Sequence, residues 1–175
     1  MRLATLLVPL YLAVFSHAAH ADPLRIPLNI IDEKGDVLTA GSVTVTASPH
    51  GLIFTPSMTG LPAGMHGFHI HEKPSCAPGM KNGKSIAAFA AGGHWDPDKA
   101  GRHAGPYGNG HKGDLPPIYA SHDGKTLYPV LAPRLRSLDE IRGHALTVHL
   151  GSDNFDDAPA PLGGGGERVA CGVIG

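Results

Sequence analysis

Along most of the chain, apolar and polar residues alternate in short runs cut off by Gly, Pro, Asp or Asn. Val43-Thr44-Val45-Thr46 and Leu146-Thr147-Val148-His149 show this most clearly. A period of two sends successive side chains to opposite faces, so each run reads as a half-buried strand. The same pattern predicts strands over residues 24–31, 37–48, 51–58, 64–71, 117–120, 127–130, 144–150 and 168–174. Amphipathic helices are absent from the pattern; one helical turn is expected at residues 137–141, with Ser137 as its cap and Glu140 three residues on. The outcome is an all-β, antiparallel domain. Two long segments fall outside the alternation, residues 72–116 and 151–167. Segments that long need a source of order other than secondary structure.

The first 21 residues follow different rules: Arg2, then an apolar run from Leu3 to Phe15, then Ala19-His20-Ala21 before Asp22. This is the layout of a secretory signal peptide with a small-x-small cleavage site, and the run is too short to anchor the chain in a membrane. A single mature domain over residues 22–175, exported and without a membrane anchor, is expected. Losing Arg2 leaves 13 Lys and Arg against 15 Asp and Glu, a balance that argues against nucleic acid as a partner. The 24 glycines and the 6% aromatic content suit strands and loops better than helices.

The chemistry is concentrated in histidines. In Gly67-Phe68-His69-Ile70-His71 the two imidazoles share one strand face, about 6–7 Å apart along it, so both can reach one ion. The Gly- and Pro-rich segment that follows holds His94, His103, His111 and Asp114. Three imidazoles and a carboxylate make a closed tetrahedral zinc set. His149 adds an imidazole from a distant strand and leaves a nitrogen-rich site suited to copper.

With these residues in view the chain resembles the secreted copper/zinc superoxide dismutases of bacteria. Gly67-Phe68-His69-Ile70-His71-Glu72 is similar to the first signature of that family, and Ala170-Cys171-Gly172-Val173-Ile174-Gly175 to its C-terminal one. Gly105-Pro106, Gly113-Asp114-Leu115-Pro116, Ala132-Pro133-Arg134-Leu135 and Pro161-Leu162-Gly163-Gly164-Gly165-Gly166 resemble the bacterial branch in particular. The resemblance implies an eight-stranded Greek-key flattened barrel, an immunoglobulin-like sandwich, in which the two long segments are functional loops.

It also implies roles. Copper falls to His69, His71, His94 and His149, zinc to His94, His103, His111 and Asp114, and His94 bridges the two and carries a proton during turnover. Asp153 accepts hydrogen bonds from the far nitrogens of His69 and His103, and Arg168 guides the anionic substrate, superoxide. Cys76 and Cys171 are the only cysteines, and an exported protein can join them in a disulfide that ties the loop to the strand carrying Arg168. Two free thiols are the alternative. His66 is expected to hold backbone, His50, His122 and His144 to lie in loops or at strand edges, and His17 and His20 to leave with the leader.

In one respect the chain departs from the eukaryotic pattern. Residues 151–167 carry no lysine, so steering of superoxide falls to the metals, Arg168 and candidates such as Lys73, Lys81, Lys84 and Lys112. A copper-buffering protein of the same fold is the competing reading; it predicts the loss of Arg168 or of zinc ligands, and both are present. Monomer and homodimer are both compatible with the resemblance.

Overall fold

The computed structural model describes residues 22–35, 37–126 and 128–175; the leader assigned to residues 1–21 lies outside them. Among the described residues eleven strands run in the order β1 (Leu24–Ile31), β2 (Val37–Ser48), β3 (Gly51–Met58), β4 (Gly64–His66), β5 (Phe68–His71), β6 (Gly79–Lys81), β7 (Lys84–Ile86), β8 (Ile118–Ala120), β9 (Val130–Ala132), β10 (Ala145–His149) and β11 (Arg168–Val173). Seven form one antiparallel sheet in the order β5-β10-β11-β1-β2-β3-β9, and β4-β8 and β6-β7 form two-stranded ribbons. The sheet curls into a Greek-key β-barrel. Among the described residues no helix is long and apolar enough to cross a membrane.

β5 and β10 explain why the site lies where it does. Every residue of both strands is buried, which alternation with one solvated face would not produce. Phe68, Ile70, Leu146 and Val148 belong to the main core, where Phe68 meets Phe54 edge-on with ring centroids 5.8 Å apart. Burying side chains of this size contributes about 1.5–3 kcal/mol each. The opposite parity, His69, His71, Thr147 and His149, faces the other way and is covered by the long loops. Cross-strand register sets Thr147 opposite His69 and His149 opposite Arg168, with an irregularity between Val148 and His149 that re-aims the last residue.

Four expectations need correction. Residues 64–71 are two strands, because Gly67 leaves the ladder: its N–H donates to Gly151 O and its carbonyl accepts from His149 N–H. Residues 72–116 contain the β6-β7 hairpin, turned at Asn82-Gly83 with positive φ at both residues, and a 3-10 turn at Phe89–Ala91. The strand expected at 127–130 is shifted to Val130–Ala132. The helical turn near residue 137 is 3-10, Asp139–Ile141, and only half of its expected cap forms: Glu140 accepts from Ser137 N–H at 2.9 Å, while the Ser137 side chain caps nothing.

Candidate metal centre

Residues 72–116 fold back onto β5 and bring their histidines with them. Trp95 N–H donates to Ile70 O, Ile70 N–H to Gly113 O, and Gly113 N–H to Trp95 O, so His94 and Asp114 flank the edge of β5. His71 and His94 form an isolated antiparallel bridge, as do His69 and Asp114. The approach leaves no room at Gly113, where an added Cβ would sit 2.2 Å from Ile70 O.

Two groups of side chains result, with ligand atoms all within 4.8 Å of one another: His69, His71, His94 and His149 in one, and His94, His103, His111 and Asp114 in the other. These are the residues expected to hold copper and zinc, and His94 belongs to both. All are buried.

Hydrogen bonds at the remote ring nitrogens fix the tautomers. Asp153 accepts from His69 Nε2 at 2.6 Å and from His103 Nε2 at 2.8 Å. Gly92 O accepts from His71 Nδ1 and Gly166 O from His149 Nδ1, each at 3.0 Å. Each remote nitrogen therefore carries a proton, and at His69, His71 and His149 the near nitrogen turns a lone pair inward, whereas the near nitrogen of His103 lies 3.1 Å from Asp114 Oδ2. Those near atoms, His69 Nδ1, His71 Nε2, His94 Nε2, His103 Nδ1 and His111 Nδ1, are buried without a hydrogen-bond partner. Stranding a buried polar atom costs about 1–3 kcal/mol. Five that converge in two clusters fit a pair of cations, which removes the deficit.

The electrostatics separate the groups. Burial pushes His69, His71 and His94 below the ordinary imidazole value and His149 down to about 4; the Arg168 charge adds to the effect at His71. These rings are neutral at pH 7, ready to ligate. His103 moves the other way: burial works to lower it, but the Asp114 and Asp153 carboxylates outweigh burial and raise it to about 9. Asp114 is held well below the usual carboxylate range, burial being overcome by His103 and His94. Metal-free protein at pH 7 thus keeps a proton on His103 that a cation must displace. Zinc uptake is expected to release protons at pH 7, and zinc affinity to rise with pH up to about 9, where His103 is half deprotonated. Calorimetry in buffers of different ionisation enthalpy checks this; heats independent of buffer would contradict it.

Arg168 leans over the first group from β11. Its Nη1 donates to Ala88 O and its Nη2 to Gly92 O, each at 2.6 Å. Gly92 O also holds His71, so one carbonyl locks the guanidinium to a ligand ring. The Cys76–Cys171 disulfide is formed, and Cys171 shares a buried cluster with Ala88 and Ala91. Sequence reasoning missed two groups that hold residues of the site: Gly92 O and Asp157, whose carboxylate accepts from the N–H groups of His103 and Leu162. Nothing in spacing or composition marks them. The glycine run has a local reason: an added Cβ at Gly163 would sit 2.3 Å from Asp153 Oδ1 and 2.8 Å from His103 Nε2.

His66 bonds two backbone carbonyls, His149 O and Pro62 O. His144 packs at a tilt against Trp95, with ring centroids 4.7 Å apart, and its Nδ1 lies 2.8 Å from Glu72 O. Of the candidate steering lysines, Lys112 is tied to Glu140 at 2.6 Å and lies over the Trp95 ring, whereas Lys73, Lys81 and Lys84 are exposed.

A β-barrel with two adjacent groups of side chains able to hold metal ions, sharing one histidine, defines a class, that of metal-binding β-barrels. The family model described as copper/zinc superoxide dismutase matches residues 39–174. The chain belongs to the copper/zinc superoxide dismutase family. It is 52% identical to the Cu-Zn superoxide dismutase of Escherichia coli strain K12 over 161 residues, 92% of this chain and 93% of the relative. Its fold is similar to that of the Brucella abortus Cu/Zn superoxide dismutase, with TM-score 0.86 and 48% identity over 88% of this chain and all (100%) of the other. The monomeric copper, zinc superoxide dismutase of Salmonella enterica matches with TM-score 0.79 and 49% identity, over 88% of this chain and 100% of the other.

Proposed function

We propose that His69, His71, His94 and His149 hold copper, that His94, His103, His111 and Asp114 hold zinc, and that Arg168 draws superoxide to the copper side. The activity is that of the family: two superoxide ions and two protons yield oxygen and hydrogen peroxide. The observation that carries the residue assignment is the set of buried, unpartnered ring nitrogens, grouped around two centres that share His94. Bound copper supplies reversible one-electron chemistry, while zinc keeps one oxidation state and polarises the shared ring.

The chain's own residues do the rest. Asp153 holds one ring from each group and keeps the two centres in register, as outer carboxylates commonly do. His94 Nε2 is the atom at which the shared ring holds one of the two protons that the peroxide needs; solvent provides the other. Arg168 has five N–H donors, and two bonds to carbonyls fix its fork in place. The remaining donors are available to a small anion.

Losing a charge-assisted contact of about 1.5–3 kcal/mol slows superoxide decay about 10–100-fold in Arg168→Ala. Reversing Lys73, Lys81 and Lys84 together to Glu costs about tenfold at low ionic strength, a difference that shrinks as salt is added. Decay rates against ionic strength test both; unchanged rates in Arg168→Ala remove the guide role. The disulfide and the leader favour export, so we place the mature protein, beginning at Asp22, in the periplasm. An exported mass that begins elsewhere contradicts that cleavage point.

A further inference from the structure

The structure points to a positioning residue for the zinc centre that no ligand pattern discloses: we propose that Arg134 orients His111 through backbone carbonyls, as Asp153 orients His69 and His103 through ring nitrogens. The inference rests on the zinc assignment above.

Arg134 follows β9 and belongs to neither long loop. Its guanidinium nevertheless reaches the zinc-bearing segment: Nη1 donates to Gly110 O at 2.8 Å, Nε to Pro106 O at 3.2 Å, and Nη2 to Gly105 O at 3.3 Å and to His111 O. Four carbonyls between residues 105 and 111 thus turn toward one cation that the chain carries itself. The segment is closely coiled around this point. An added Cβ would sit 2.4 Å from Ala104 O at Gly108 and 2.5 Å from Ala104 N at Gly110.

His111 needs this support because of how the other rings are held. His69, His103, His71 and His149 each have a remote nitrogen bonded to Asp153 or to a carbonyl, and His94 uses both nitrogens toward the metal groups. No described residue bonds the remote nitrogen of His111. Its ring is aimed by its backbone, whose N–H donates to Arg102 O at 3.0 Å and whose carbonyl accepts from Arg134. A planar fork of five donors can span four carbonyls at once; a lysine ammonium, a point charge with three donors, cannot. Arg134 therefore preorganises the loop, so less ordering cost falls on zinc when it binds.

The test starts from metal-loaded protein with its disulfide intact and follows zinc and copper loss to a chelator of known affinity. It compares Arg134→Ala, Arg134→Lys, His111→Ala and Arg142→Ala, the last an exposed arginine outside the centre. Arg134→Ala is expected to weaken zinc binding about 10–100-fold, the usual cost of losing an orienting partner. Arg134→Lys should fail to rescue it, copper affinity should be little changed, and cobalt(II) in the zinc position should show altered visible bands. Wild-type zinc affinity in Arg134→Ala with a defective His111→Ala overturns the role of Arg134 alone. Wild-type zinc affinity in His111→Ala overturns the zinc assignment beneath it. Equal weakening of copper and zinc in Arg134→Ala, or full rescue by Lys, also overturns the inference. Should the alanine variant not fold, the lysine variant carries the same readout.

Discussion

His149→Ala is expected to keep the fold and the zinc, lose copper, and no longer speed the decay of superoxide. Only His94 is common to the two groups, so removing His149 leaves the second group whole. The first group loses the imidazole that comes from β10. Among the described residues the side-chain oxygen beside its ring, Thr147 Oγ1, 3.4 Å from His149 Nε2, is a poor copper ligand and does not replace it. Gly165 lies beside His149, and its missing side chain lets the backbone approach the ring: an added Cβ would sit 3.0 Å from His149 Cβ. Metal analysis and decay kinetics on one preparation check the claim. Loss of both metals would mean that His149 supports the fold rather than the copper; retention of copper would remove it from the ligand set.

Cys76→Ser with Cys171→Ser is expected to lower both stability and rate. The bridge joins residues 95 apart in sequence, and removing a native disulfide from a small secreted domain costs about 2–5 kcal/mol. For a domain of this size that lowers Tm by about 4–20 °C. The kinetic effect has a specific route. Cys171 lies on β11 with Arg168 and packs against Ala88 and Ala91; Ala88 and Gly92, which brackets the same turn, hold the guanidinium through their carbonyls. Without the bridge that turn is free to drift, and Arg168 drifts with it. Calorimetry and superoxide decay test the pair of effects; a lower Tm with an unchanged rate would leave the bridge a staple with no part in guiding the anion.

The strands most legible in the sequence are those with one clear alternation, β1 to β3, whose bounds coincide with the apolar pattern. Less legible are places where tertiary pairing overrides the pattern. Gly67 divides a continuous-looking run because its backbone pairs with residues 149 and 151, a contact no local window contains. The β6-β7 hairpin was within reach, since Asn82-Gly83 is the strongest two-residue turn signal, but its strands are too short and polar to stand out. The residues that gather into the two groups were readable because metals demand particular side chains. The groups that aim them were not, because Gly92, Gly166 and the carbonyls around Arg134 act through backbone atoms that every residue possesses. The steering lysines show the same limit: Lys112 resembles its neighbours in sequence, and only its pairing with Glu140 sets it apart.

The most direct measurement is superoxide decay by pulse radiolysis on protein beginning at Asp22 and loaded with copper and zinc, beside His149→Ala. The account predicts that the wild type works near the diffusional ceiling of about 10⁸–10⁹ M⁻¹s⁻¹, for which superoxide dismutases are themselves standard examples, while the variant does no better than buffer. A metal-replete wild type no faster than buffer would contradict it, and would make the same ligand set a copper store.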